Sequence, residues 1–176
     1  MKTRLLCALC AFFPLSLLAA KVHKITPITT DKDIRIEVML SAEANESLSL
    51  DAVITHARNK AILCSHSGEF YFKNKVDTTV VWKIDQLTPE LWSPVNPALY
   101  DLEVKAGTET LHKRIGFRKF EMRDGVFYLN DKPIYLRGNA INPPERGIPE
   151  QLERSKDFAR DYVRFMKSLN INIIRI

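Results

Sequence analysis

Between Lys21 and Gly116 the chain alternates apolar and polar residues in short runs, and this constrains the fold more than any other feature. Ile34, Ile36, Val38 and Leu40 fall on one face, with Arg35, Glu37 and Met39 on the other. Leu48, Leu50, Ala52 and Ile54 repeat the pattern, and so do Val80, Trp82 and Ile84. Leu99–Lys105 and Thr110–Ile115 add two runs, joined by the turn-forming Ala106-Gly107-Thr108-Glu109. A side-chain period of two belongs to strands with one buried and one wet face, whereas helical apolar positions recur every three to four residues. With strands near Val22–Ile28 and Phe70–Phe72, about seven strands fit here, which predicts an immunoglobulin-like sandwich of two sheets.

The stretch Leu91–Tyr100 connects two of these strands. Pro89, Pro94 and Pro97 remove backbone donors, so it is no central strand. Trp92 is expected to cover an edge of the core. Tyr100 opens the next strand, where its hydroxyl is expected to pin a corner of the sandwich.

After Gly116 the pattern changes. Phe120–Arg123, Val126–Leu129 and Lys132–Leu136 read as short strands separated by the turn pairs Asp124-Gly125 and Asn130-Asp131. The stretch 139–149, with Pro143, Pro144 and Gly147-Ile148-Pro149, forbids helix and ladder alike. Ser155 starts a helix whose apolar face carries Phe158, Tyr162, Phe165, Met166 and Leu169, with Asp157, Arg160, Asp161, Arg164 and Lys167 as its solvated side. The helix ends at Leu169-Asn170, and Ile171–Ile176 reads as a buried strand. Strand, loop, helix and strand in that order predict a βαβ unit with parallel strands.

The first twenty residues read as an export signal. Lys2 and Arg4 supply the basic start, Leu5–Leu18 the apolar stretch, and Leu18-Ala19-Ala20 a small-residue cleavage site. That stretch is short for a membrane span, and Pro14 interrupts it. The residues before Cys7 and Cys10 make a poor lipoprotein box. The protein is therefore expected in the periplasm or outside the cell. Past residue 20 only Cys64 remains, so no internal disulfide can form, and its strand-like neighbours mark it as a small apolar residue rather than a catalytic thiol.

With 45% hydrophobic and 27% charged residues, the chain is of ordinary globular composition. The net charge of +5 falls when the first twenty residues are removed, to 24 basic against 21 acidic residues. Acids and bases are interleaved, as in Glu153-Arg154-Ser155-Lys156-Asp157, which excludes the one-sided basic patch of a nucleic-acid binder. His23, His56, His66 and His112 show no metal-ligand spacing, and no phosphate-binding glycine loop occurs. No metal or cofactor is expected.

One ordered set of motifs goes further. It runs Leu91-Trp92-Ser93-Pro94-Val95-Asn96-Pro97-Ala98-Leu99-Tyr100, then Arg114-Ile115-Gly116-Phe117-Arg118-Lys119, then Asp124-Gly125-Val126-Phe127-Tyr128-Leu129-Asn130, then Lys132–Gly138. This order resembles the junction in glycoside hydrolase family 2, where a sandwich hands over to a catalytic (β/α)8 barrel. The resemblance covers the chain from about Thr29 onward and is most specific between Leu91 and Arg175. It implies a signal peptide over 1–20, the sandwich over 21–116, and over 117–176 the start of a barrel that stops inside its second strand. The family's preceding jelly-roll domain has no counterpart here.

Family members are retaining glycosidases acting on β-linked sugars. A retaining mechanism needs two carboxyl groups about 5 Å apart. The resemblance places both glutamates on later barrel strands, beyond this chain, so the fragment alone is expected to be inactive. Glu145, Glu150 and Glu153 sit in a loop and a helix start and are not taken as catalysts.

Substrate-binding candidates remain at the strand ends, where barrel active sites are built. Asn172-Ile173-Ile174-Arg175 matches the start of the family's Asn-x-x-Arg signature, whose Arg points into the active site to orient a carboxylate or the sugar. The other reading of Arg175 is an arginine paired for barrel packing. Arg137-Gly138-Asn139 is expected to end the first barrel strand, with Asn139 and Asn142 in the loop beyond. Those two asparagines either contact sugar hydroxyls or hold a turn. Many relatives carry an Asn-Arg-His-Glu-like stretch where this chain has Asn139-Ala140-Ile141-Asn142-Pro143-Pro144, which leaves the sugar open. A carbohydrate is the expected partner, and self-association stays open. The competing readings are a non-catalytic sandwich module for carbohydrate or protein binding, and a vestigial gene product.

Overall fold

A computed structural model describes residues 20–141 and 149–175. Seven strands build the first part: β1 Lys21–Thr29, β2 Ile34–Ala42, β3 Glu46–His56, β4 Ile62–Phe72, β5 Val76–Ile84, β6 Tyr100–Ala106 and β7 Glu109–Ile115. They form two antiparallel sheets, one ordered β1-β2-β5 and one ordered β4-β3-β6-β7. The chain changes sheet between β2 and β3, between β4 and β5, and again through the connection 85–99.

Register explains why the alternation reads so clearly. Ile36 pairs with Trp82 and Val38 with Val80 in one sheet. Ile54 pairs with Leu102 and Ala52 with Val104 in the other. Paired residues share a face, so each sheet presents a continuous apolar surface to the other. Ile34, Ile36, Val38, Leu50, Ile54, Leu102 and Val104 are buried completely or nearly so, and Phe117 closes the end of the core. Cys64 on β4 is half-buried against this core, and burial pushes its thiol pKa up. That inert environment is the one expected of it.

The corner formed as anticipated. Glu90 N–H donates to the Tyr100 hydroxyl at 2.7 Å. The Tyr100 ring stands edge-on to His56 and Phe117, with centroids 5.2 and 5.3 Å away.

Beyond the sandwich a small meander, β8 Phe120–Arg123, β9 Val126–Leu129 and β10 Lys132–Pro133, is ordered β10-β9-β8. Asp124 and Gly125 take φ of 50° and 77°, and Asn130 and Asp131 take 52° and 61°. Both pairs are left-handed two-residue turns that match the twist of a hairpin. Asn130 also ties the meander to the sandwich. It exchanges hydrogen bonds with Lys119, its N–H reaching Lys119 O at 2.8 Å and its Oδ1 accepting Lys119 N–H at 3.0 Å. Its Nδ2 donates to Trp92 O at 3.0 Å, and Trp92 N–H donates to Phe117 O at 2.7 Å.

The last part is a parallel pair, β11 Gly138–Ala140 and β12 Ile173–Arg175, bridged by α1 Glu150–Glu153 and α2 Lys156–Ser168. Ser155 caps α2, its Oγ accepting Phe158 N–H at 3.2 Å. Asp157 in the first turn and Lys167 in the last complement the helix dipole. Asn170 at φ 57° ends it.

Three expectations need correction. Lys132–Leu136 is a strand only over Lys132–Pro133, its pairing with β9 ending one bond later where Ile134 N–H donates to Phe127 O at 2.8 Å. Arg137-Gly138-Asn139 does not end the first parallel strand, since Gly138 begins β11 and Asn139 lies within it. The expected buried strand over Ile171–Ile176 is not found over 171–175, and Ile176 lies outside the described residues. The strand covers Ile173–Arg175, with Ile173 43% exposed, because β11 is its only strand neighbour among the described residues.

Candidate functional site

The parallel pair holds two of the three residues singled out in the sequence. Its register sets Gly138 beside Ile173, Asn139 beside Ile174 and Ala140 beside Arg175. Directly paired residues share a face and successive residues alternate. Asn139 therefore projects from one face and Arg175 from the other. The Asn139 face is the one under α2, where Asn139 Nδ2 lies 3.6 Å from the Met166 sulfur. Asn139 Oδ1 turns back to accept Ala140 N–H at 2.9 Å. Arg175 shares the opposite face with Ile173, and a Cβ on Gly138 would stand 3.0 Å from Ile173 Cγ2 there. The two side chains are not brought together.

Arg175 is exposed and makes no ion pair among the described residues. Its carbonyl accepts Ile141 N–H at 2.9 Å, which carries the parallel pairing one rung beyond β11. Asn142 and Glu145 lie outside the described residues. Glu150 and Glu153 bound the short helix α1.

Asn172, just ahead of β12 and part of the Asn-x-x-Arg stretch, binds the chain entering β11. Its Oδ1 accepts Arg137 N–H at 2.9 Å and its Nδ2 donates to Tyr135 O at 2.9 Å. Its own N–H donates to Arg137 O at 3.0 Å. The signal in the sequence is an asparagine set between Asn170-Ile171 and the β-branched pair Ile173-Ile174.

Of the crevices elsewhere among the described residues, two hold polar groups named above or beside the Tyr100 corner. The larger, about 770 Å³, opens at the other end of the pair, between the connection 85–99 and the entries to β11 and β12. Leu91, Val95, Asn130, Arg137, Lys167 and Asn172 contribute to its lining, and among the described residues no carboxylate does. Arg137 is committed there to the end of α2, its Nε donating to Asn170 O at 2.7 Å. The smaller, about 220 Å³, contains His56, Glu90 and Asn96. His56 Nε2 is 3.3 Å from Glu90 Oε2, and Asn96 Nδ2 donates to Glu90 Oε1 at 2.7 Å. The Asn96 hydrogen bond, followed by His56, holds the Glu90 carboxyl below the usual carboxylate range. With a single carboxylate, this cluster pins the connection beside Tyr100 and offers no acid/base pair.

Among the described residues no group of three His, Cys, Asp or Glu could hold a metal, and no helix is long and apolar enough to cross a membrane.

Comparison with known proteins gives this geometry its context. The family model for glycosyl hydrolases family 2 matches residues 20–118. A putative β-glucuronidase of Formosa agariphila is 29% identical over 138 residues, which cover 75% of this chain and 16% of that protein. A β-galactosidase of Staphylococcus xylosus is 29% identical over 152 residues, covering 81% and 14%. The chain thus spans under a fifth of either relative. Among solved structures, a β-glucuronidase of Parabacteroides merdae superposes with a TM-score of 0.64 at 23% identity, covering 90% of this chain and 21% of that one. A glycosyl hydrolase family 2 member from Bacteroides cellulosilyticus gives 0.65 at 19% identity, covering 92% and 23%. At such identities the likeness shows the fold alone.

Proposed function

This chain belongs to glycosyl hydrolase family 2, and from that premise we propose that it is the sandwich and barrel entry of an exported glycosidase acting on β-linked sugars. The observation that carries the reading is the family match over the sandwich. The galactosidase match supports its continuation, because a similarity covering 81% of the chain runs past residue 118 into the parallel pair. In this reading β11, α2 and β12 are the first βαβ unit of a (β/α)8 barrel, and the C-terminal ends of β11 and β12 lie at its active-site rim. A sandwich-only binding module has no use for such a unit.

The reaction is hydrolysis with retention. A carboxylic acid protonates the glycosidic oxygen while a carboxylate attacks the anomeric carbon, and water then releases the glycosyl-enzyme with the first group acting as base. Both carboxyl groups are assigned to glutamates outside this chain. Arg175 is the residue here that reaches the site. Its exposed guanidinium on the face away from α2 suits it to orient a carboxylate or a sugar hydroxyl by charge-assisted hydrogen bonds. Asn139, under α2, is suited to holding the strand against the helix. The leader over 1–20 supports a periplasmic or extracellular location, and the chemistry needs no cofactor.

The test begins with the reading frame downstream of codon 176. It is expected to continue through an Asn-Glu pair and a later Glu at barrel-strand ends. The encoded protein should hydrolyse a 4-nitrophenyl β-glycoside with retention, and Arg175→Ala should lower kcat/KM at least tenfold. The purified 176-residue chain should show no turnover. Activity in that chain would overturn the assignment of both glutamates beyond it.

A further inference from the structure

We propose that Asn172 is the positioning residue that fixes the register of β12 on β11, and so the face from which Arg175 projects. The proposal deepens the reading of Arg175 as a site residue and rests on it only for its functional meaning.

The argument starts from how little else sets this register. Each strand of the pair has three residues. The inside/outside contrast that normally specifies pairing is weak, since Gly138 and Asn139 are both exposed on β11 and Ile174 is only half-buried between exposed Ile173 and Arg175 on β12. A slip of one residue between strands moves every side chain to the other face, and it is weakly resisted where neither face is strongly apolar. Here the slip would bring Arg175 beside Asn139, under α2 and against Met166.

Asn172 blocks that slip with a carboxamide. Oδ1 accepts Arg137 N–H at 2.9 Å and Nδ2 donates to Tyr135 O at 2.9 Å. One planar group thus reads an acceptor and a donor two residues apart on the entering chain. Its backbone N–H adds a third bond to Arg137 O at 3.0 Å. A register shifted by one residue would present the next residue's groups to the carboxamide, in an arrangement it cannot satisfy. Apolar, charged or longer side chains cannot make both bonds at this spacing.

The experiment is NMR on the 176-residue chain. The native register is reported by the nuclear Overhauser contact between the Gly138 α-protons and the Ile173 γ2-methyl, which the 3.0 Å approach at Gly138 requires. Hydrogen exchange at Arg137 and Ile141 reports the bonds themselves. Asn172→Ala should lose the contact and speed exchange at both amides roughly tenfold, with β3 and β6 unchanged. Asn172→Asp supplies the reading that general destabilisation cannot imitate. When protonated it has one donor and one acceptor, like Asn172, and when ionised it has acceptors only.

The Asn172→Asp variant should keep the Gly138–Ile173 contact near pH 3 and lose it near pH 7, where the unchanged chain keeps it at both. The sign follows from the bond to Tyr135 O. That bond exists only for the neutral acid, so it raises the folded-state pKa, and its stabilisation is lost as pH rises through that value. Retention of the contact and of slow Arg137 exchange in Asn172→Ala, or a pH-independent Asn172→Asp, would overturn the proposal. Neither result bears on whether the longer protein is a glycosidase, because no catalysis is measured.

Discussion

Replacing Tyr100 with Phe isolates one hydrogen bond in an otherwise intact corner. The ring keeps its edge-on contacts with His56 and Phe117, so only the hydroxyl is lost. What remains is Glu90 N–H, which donated to it at 2.7 Å in a half-buried setting. An unsatisfied buried donor costs about 1–3 kcal/mol, and partial access of water puts this one at ~1–2 kcal/mol. For a sandwich of this size, with a urea slope near ~1 kcal/mol per molar, the midpoint should fall by about 1–2 M. Trp82, 6% exposed in the core, provides the fluorescence signal for the urea titration.

An alkaline arm gives a second reading. Burial, with the nearby Glu90 carboxylate adding to it, pushes the Tyr100 pKa up against the opposing Glu90 backbone bond. A raised folded-state value means that the hydroxyl's stabilisation is complete below the unfolded tyrosine pKa of about 10 and is lost as pH rises through the folded value. The difference between parent and Tyr100→Phe should therefore be constant up to about pH 10 and shrink above it. A loss below ~0.5 kcal/mol, or a difference that does not narrow in alkali, would refute the role given to the hydroxyl.

Other perturbations follow from the same geometry. A Cβ at Gly68 would lie 2.9 Å from Trp82 Nε1 and 3.2 Å from Cε2, so Gly68→Ala should destabilise by about 1–3 kcal/mol through overpacking and shift the Trp82 emission. Unchanged or improved stability would show that the indole gives way freely. Lys60 and then Arg114 hold the Asp101 carboxyl below its usual range through bonds of 2.9 and 2.8 Å. That stabilisation is present above the unfolded carboxylate pKa of about 4 and lost as pH falls through the folded value. Asp101→Asn should accordingly be less stable than the parent at pH 7 and equal to it in strong acid, with the gap reduced by added salt. A gap unaffected by pH would sink this account.

The sandwich was legible because its signal is local. β2, β3, β5 and β6 carry the alternation cleanly, whereas the bulge after Val22 in β1 breaks the count and β4, which runs from Ile62 and not only over Phe70–Phe72, has no such pattern to read. The two left-handed turns of the meander announced themselves as Asp124-Gly125 and Asn130-Asp131. The parallel pair was legible only as an order of elements. Where β11 begins depends on Asn172 bonds to residues 35 and 37 positions earlier, and no pattern within a window contains such bonds. The opposite facing of Asn139 and Arg175 is likewise a property of register between two distant segments. Their residue types alone made them look like neighbours in one site, whereas the pleat separates them.

The division between a sandwich complete at Phe117 and a parallel pair that needs Arg175 also sets an order in time. Every partner of β6 and β7 precedes Phe117, so the sandwich can close while the remainder is still being made. At ~5–20 residues per second, synthesis from Ala140, the end of β11, to Arg175 takes roughly 2–7 s. For that interval β11 has no strand to pair with, and the Asn130 bond to Trp92 O can already hold the meander on a finished surface. In a chain that emerges N-terminus first, on synthesis or on export, the sandwich can thus be the platform on which β11 meets its late partner.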